Sequence, residues 1–285
     1  MLIAQITDIH LGFDQADPNE LNRRRLDRTL RTLAEMNPRP DLLLITGDLA
    51  EEGDDRVSYS QLAEAIAGLP FPVHFALGNH DSRGPFGDAF PDVPIADGFV
   101  QYAIEDHPLR ILVLDTLEEG RHGGAFCEVR AAWLRARLGE APDRPTLIVL
   151  HHPPIETGLS WMTENPDAAW VKRLEAIVRA HGNIVAMIAG HVHRAIVTRF
   201  AGTTLAICPS TAPQVALDLR PIDAERPDGR AMIVADAPAF ALHVWNGSTL
   251  VTHFATAGDH EVLAGYGPAL QPLVRMLIEE KKQPN

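Results

Sequence analysis

Five apolar runs in this 285-residue chain end alike, and that shared ending limits the fold more than any other feature. Leu2–Thr7 leads into Asp8 and His10. "DLLLITGD" closes on Gly47 and Asp48, and "VHFALGNHD" on Gly78, Asn79, His80 and Asp81. "TLIVLHHPP" ends in His151 and His152, and "NIVAMIAGHVH" in Gly190, His191, Val192 and His193. Short runs of branched apolar residues, bounded by Gly and polar groups, read as strands buried on both faces. Helical spacing fills the gaps between them. "LNRRRLDRTLRTLAEM" places Leu21, Leu26, Leu30 and Leu33 on one face, Ser58–Leu69 stops at Pro70 and Pro72, and Glu128–Leu138 and Asp167–His181 follow the same pattern. This β-α-β rhythm predicts an α/β fold with helices covering the sheet. Ligands of such folds gather outside the carboxyl ends of the strands, so the five polar endings are expected to converge.

After His193 the rhythm changes. "AIVTRFAGTTLAICP", "AMIVADA", "FALHVWNG" and "TLVTHFAT" are strands in succession, which predicts a second, more antiparallel layer or the far half of a sandwich. Ser210–Arg230, rich in Pro, Asp and Arg, reads as a surface loop, and "PALQPLVRMLIEEKK" as a C-terminal helix. No linker divides the chain, so residues 1–285 read as one domain. A formal net charge of −13 disfavours nucleic-acid polymers and anionic membranes as partners. Cys127 and Cys208 are too few for a disulfide framework and are expected to be reduced. "MLIAQITDIH" lacks a basic n-region and reads as a strand, not a signal peptide; no apolar stretch reaches membrane-spanning length. The expected location is cytoplasmic.

Each polar ending alone has an ordinary explanation, as a turn or a capped loop. Their joint occurrence at one end of one sheet points to metal ligation. Asp8, His10, Asp48, Asn79, His151, His191 and His193 offer four imidazoles, two carboxylates and one amide oxygen. A single catalytic zinc takes about three protein ligands and a water. Seven candidates suit two ions, provided that one carboxylate bridges. Two ions about 3.5–4 Å apart clamp a phosphate and generate hydroxide near neutral pH. Nitrogen and oxygen ligands without thiolate favour Fe, Mn, Zn or Co over Mg or Ca alone. The glycines beside the ligands are expected to permit tight turns and to admit substrate close to the main chain.

The ordered set Asp8-X-His10, Gly47-Asp48, Gly78-Asn79-His80-Asp81, His151 and Gly190-His191-X-His193 resembles the full signature of the calcineurin-like metallophosphoesterases, over about two-thirds of the chain. The resemblance implies a four-layer α/β/β/α sandwich with two central mixed sheets. It implies one metal held by Asp8, His10, Asp48 and His193, and a second held by Asp48, Asn79, His151 and His191, with Asp48 bridging. "HHPP" and "GLSWM" (Gly158–Met162) are similar to the class III cyclic-nucleotide phosphodiesterases and bacterial glycerophosphodiesterases. Thr163 stands where that subfamily often has an acidic residue, so substrate preference does not carry over. The same resemblance implies a cap and a homodimeric or higher contact, built from about residues 155–168 and 210–285.

The expected activity is hydrolysis of a small phosphodiester by a metal-bound hydroxide, with Asp48 and His80 as catalytic residues. His80 follows the ligand Asn79 and is expected to contact a phosphate oxygen or protonate the leaving alkoxide, with Asp81 either orienting it or capping a helix. Asn79, His80, Trp161 and Met162 are the expected substrate contacts; local packing or an oligomer contact competes for Trp161 and Met162. His152 divides between support of the metal site and plain structure. "NRRR" (Asn22–Arg25) reads as a solvated helix face rather than an anion guide, and Phe240, Trp245 and Phe254 as packing on a sheet or a subunit interface. Competing activities are a phosphomonoesterase on the same site, a nuclease (which the acidity disfavours) and a metal-free scaffold (which the complete ligand set disfavours).

Overall fold

Side-chain alternation along the strands decides the layers. A computed structural model describes residues 1–282 apart from residue 18. The first sheet has the order β13 (Leu250–Thr256), β12 (Ala239–Trp245), β1 (Leu2–Ile6), β2 (Leu42–Thr46), β3 (Val73–Ala76). β1, β2 and β3 run parallel, and β12 and β13 join antiparallel beside β1. The second sheet has the order β4 (Tyr102–Ile104), β5 (Arg110–Val113), β6 (Thr146–Val149), β7 (Ile184–Ala189), β9 (Thr203–Ile207), β8 (Ile196–Phe200), with a parallel centre and antiparallel edges. In this sheet Ile111, Val113, Leu147, Val149 and Ile188 share one core with the first sheet. Their alternates Leu112, Ile148, Met187, Leu205 and Ile207 pack with α4 (Glu128–Glu140) and α5 (Ala169–Ala180). α1 (Leu21–Ala34) and α2 (Arg56–Ile66) pack their Leu26, Leu30, Leu33, Tyr59 and Leu62 with the first sheet. Period-two alternation thus produces helix, sheet, sheet and helix layers, which is the expected architecture.

The late strands form neither a layer of their own nor one half of the sandwich. β12 and β13 extend the first sheet, whereas β8 and β9 extend the second. "AIVTRFAGTTLAICP" is a hairpin, turning at Ala201 (φ 51°) and Gly202 (φ 97°). A separate ribbon pairs β10 (Gln214–Val215) with β11 (Ile233–Val234). The segment read as a surface loop is therefore buried at its start, from Ser210 to Ala212 and again at Gln214 and Val215. A short helix α3 (Arg83–Ala89), whose Gly and Pro mask any periodicity, follows β3. α6 (Gln271–Glu280) forms where the C-terminal helix is expected and buries none of its residues. Phe240 and Trp245 lie in the core with Phe254 packed against it, so these aromatics serve the sheet.

The inward face of α1 is Asn22, Arg25, Leu26, Thr29, Leu30 and Leu33, and Leu21 is exposed. "NRRR" is thus only partly solvated: two of its four residues point inward. Asn22 donates to the His10 carbonyl at 2.9 Å. The Arg25 guanidinium donates to the carbonyls of Thr211 (2.7 Å) and Ala212 (3.1 Å). Backbone N–H groups of Thr211 and Ala212 donate to Thr7 and Asp8. The two sheets also meet through polar groups. Gln5 Nε2 donates to Thr46 Oγ1 (2.9 Å) and to the Ala189 carbonyl (3.0 Å), while its Oε1 lies 3.0 Å from His243 Nε2.

Candidate metal centre

β1, β2, β3, β6 and β7 all end at one rim of the sandwich, and the seven ligand candidates follow those ends. Asp8, His10, Asp48, His191 and His193 adopt φ between 51° and 73°. A left-handed backbone costs a non-glycine residue on the order of 1–2 kcal/mol. These turns point the side chains inward directly after the strands. Gly190 has no such φ; its role is clearance. A Cβ there would collide with the Thr7 hydroxyl of the facing sheet, and one on Gly78 would collide with Asp48. Gly47 (φ 98°) makes the expected tight turn, and Gly78 and Gly190 make room for neighbouring strand ends.

The inward atoms crowd together. His193 Nε2 lies 3.3 Å from Asp8 Oδ1 and 3.2 Å from His10 Nε2. Asp48 Oδ2 lies 3.3 Å from His151 Nε2 and 3.7 Å from His10 Nε2. The opposite ring nitrogens are tied back: His10 Nδ1 to Glu51 Oε2 (2.8 Å), His151 Nδ1 to the Thr46 carbonyl (2.7 Å), His193 Nδ1 to the Pro213 carbonyl (2.9 Å). An Nδ1–H donated to oxygen leaves the Nε2 lone pair facing the centre, the form that binds a metal. Asp8 Oδ1, Asn79 Oδ1 and His151 Nε2 are buried without a hydrogen-bond partner. Unpartnered buried atoms of this kind cost roughly 1–3 kcal/mol each, and a cation among them removes the penalty. The donor set and these orphaned atoms fit a group of metal ions.

Charge balance follows the same geometry. Burial opposes ionisation of Asp48, but the His151 and His10 rings outweigh it and hold the carboxyl well below its usual range. Burial and the neighbouring His151 push His191 well down, so that its imidazole is neutral. Burial also opposes the charge on His151, yet Asp48 and Asp8 raise it to about 9. A cation competes with that proton for the same pair of carboxylates.

His80 stands beside this group. Its N–H donates to Asp48 Oδ1 (2.9 Å) and its Nδ1 lies 2.7 Å from the Glu51 carbonyl, leaving Nε2 available to a substrate. Asp81 does not orient the His80 ring, nor does it cap α3. Its carboxylate accepts from Gly78, Leu49 and Ala50 N–H and from the Tyr59 hydroxyl. Burial and the Asp48 charge push it up to about 7, against those four donors. His152 is fully buried between the His151 and His191 rings and the Thr116 hydroxyl (Nδ1–Oγ1 2.9 Å). Trp161 and Met162 line a cavity of about 340 Å³ opening on the cluster; Met162 is also packed into the helix-side core.

Two contributors were hidden in the sequence. Glu51, three residues past Asp48 in an acidic run, belongs to no motif in the sequence. His122 lies 3.4 Å from Asn79 Nδ2 and packs on the His191 ring, at a centroid distance of 4.7 Å. Its loop is fastened by Glu164, which accepts from Gly124 N–H (2.9 Å) and Trp170 Nε1 (3.3 Å). Only the glycines of "GRHGG" hinted at this close packing: a Cβ on Gly124 would press on His152 and Trp170.

A four-layer sandwich with a histidine–aspartate rim defines the class as a metallophosphoesterase fold. The family model for calcineurin-like phosphoesterase matches residues 1–195, and the chain belongs to that family. It is accordingly a hydrolase of phosphoric esters. A probable cyclic nucleotide phosphodiesterase of Rhodopseudomonas palustris is 37% identical, over 77% of this chain and 81% of its own. A probable glycerophosphodiester phosphodiesterase of Arcobacter nitrofigilis is 28% identical over 92% and 95%. The 3′,5′-cyclic adenosine monophosphate phosphodiesterase of Escherichia coli K12 is 30% identical over 74% and 76%. Among solved structures, a dimetal phosphatase from Danio rerio shares the fold (TM-score 0.58, 15% identity, 88% of this chain and 98% of that one). So does GAP50, the anchor in the inner membrane complex of Plasmodium (TM-score 0.63, 14% identity, 93% and 87%).

Proposed function

We propose that the chain hydrolyses small phosphodiesters at a two-metal centre. Asp8, His10, Asp48 and His193 would hold one ion and Asp48, Asn79, His151 and His191 the other. The observation that carries this reading is the gathering of five strand ends at one rim, where Asp8 Oδ1 lies 4.0 Å from His151 Nε2 and both, like Asn79 Oδ1, are buried without a hydrogen-bond partner. When bound, such a pair of ions supplies an acidified water and neutralises phosphoryl oxygens. Water oxygen adds to phosphorus, one P–O ester bond breaks, and the departing oxygen takes a proton, giving a monoester and an alcohol. His80, anchored through Nδ1 to Glu51, offers Nε2 for a phosphoryl oxygen or that proton. Asn79 and His122, 3.4 Å apart, flank the same opening.

The relatives named as phosphodiesterases favour diesters over monoesters. Purified protein loaded in turn with Fe, Mn, Zn or Co should cleave bis-p-nitrophenyl phosphate with a higher kcat/KM than p-nitrophenyl phosphate. A reversed preference would make it a phosphomonoesterase. A homodimeric or higher assembly and a cap from residues 155–168 and 210–285 belong to the same proposal. Its support is the exposed Leu273, Met276, Leu277 and Ile278 of α6, and the contact of Ile222 N–H with Ser160 Oγ (3.3 Å) between the two cap segments. A cytoplasmic location accords with the two free cysteines. No helix among the described residues is long and apolar enough to cross a membrane.

A further inference from the structure

The opening beside the metal-ligand cluster has two unlike halves. One is a cleft of about 390 Å³ lined by Glu52, Asn79, Ser82 and Arg121 among other mostly polar residues. The other is the 340 Å³ cavity, whose wall away from the ligands is Phe13, Leu21, Trp161, Met162, Val215 and Ile233. His80, His122 and Glu51 border both halves. A phosphate at the cluster would have a polar cleft on one side and an apolar wall on the other.

That wall is built, not incidental. Val215 and Met162 are buried in the helix-side core. The strand carrying Val215 is fixed by Arg25 on the Thr211 and Ala212 carbonyls and by Arg194 on the Val215 carbonyl (3.2 Å). Its Pro213 carbonyl is also the anchor of His193, so wall and ligand cluster are set by one segment. Against this fixed backing, Phe13 and Ile233 remain 70% and 52% exposed. Exposed large apolar side chains at the mouth of a preformed cavity mark a ligand surface. The polar side chains of the cavity belong to the ligand cluster, its helpers Glu51, His80 and His122, or Asn22, whose amide is spent on the His10 carbonyl. Recognition on the wall is by shape and apolar contact with a flat group.

We propose that this wall makes the enzyme select phosphodiesters that carry at least one flat group, an aryl ring or a nucleobase, over diesters with two small polar arms. This selectivity rests on the phosphodiesterase reading above. The test measures kcat/KM for bis-p-nitrophenyl phosphate, 3′,5′-cyclic AMP and glycerophosphoethanolamine with wild type, Phe13→Ala and Ile233→Ser. Both positions are exposed, so the variants fold. The expected result is a loss on at least one flat-armed substrate that exceeds the loss on glycerophosphoethanolamine by tenfold or more in each variant. A loss on the aryl ester alone identifies an ester arm, and a loss on cyclic AMP identifies a base; either supports the wall. Equal losses on all three substrates, or none, overturn it. Wild type inactive on every diester while carrying its metals would instead sink the phosphodiesterase reading itself.

Discussion

Asp48 is committed on both oxygens: Oδ1 accepts the His80 N–H, and Oδ2 faces His151 and His10. His80 is tied back through Nδ1 to the Glu51 carbonyl, as the ligand candidates are through theirs, and its free Nε2 suits the proton transfer proposed for it. Replacing His80 by Ala should leave metal content unchanged and lower kcat on diesters by about 10²–10⁴; unchanged turnover would remove it from the reaction. Glu51 acts one step further out, through His10 Nδ1. Glu51→Ala should weaken one metal site by about 10–100-fold in a competitive chelator titration and spare the other. His80 was legible because it stands next to Asn79 in a motif. Glu51 and His122 were not, because nothing along the chain shows what a loop side chain will face.

At the scale of elements, the strands carried their own signal and α1 carried half of its signal. Leu26, Leu30 and Leu33 marked the buried face, but the stripe continues through Asn22, Arg25 and Thr29. Reading only apolar residues moved the stripe onto Leu21 and left Arg25 in solvent. Its guanidinium instead carries two carbonyls of the segment that anchors His193. Arg25→Met keeps the aliphatic stem and strands those carbonyls. It should cost about 2–4 kcal/mol in urea denaturation and lower kcat/KM as well; a loss below 0.5 kcal/mol would show that water replaces the guanidinium at little cost. The ends of the strands were readable because continuous apolar runs stop abruptly at Gly and polar residues. Assignment of the late strands to two different sheets was not, since hairpin pairing leaves no record of which edge it joins.

For the whole molecule, the two sheets are joined by a polar network at their centre as well as by apolar packing. His243 is fully buried between Gln5 and the Thr252 hydroxyl, and burial pushes its pKa down to about 3. Unfolded, the same ring titrates near 6.5, so the unfolded chain takes up a proton first as pH falls. Stability is fully present above about pH 6.5 and is lost from there down towards pH 3, by at most about 1.4 kcal/mol per pH unit from this group. His243→Gln should flatten the slope of unfolding free energy between pH 6.5 and 5; an unaltered slope would place the acid sensitivity elsewhere. The layered fold was legible because apolar strands and amphipathic helices alternate, whereas this buried histidine looked like any other in a strand. The central claim is that one carboxylate serves two ions, and metal stoichiometry tests it most directly. Elemental analysis of purified, metal-reconstituted wild type should find two ions per chain, and Asp48→Ala should lose both together with diester hydrolysis. Two ions retained by Asp48→Ala, or fewer than two in an active wild type, would contradict it.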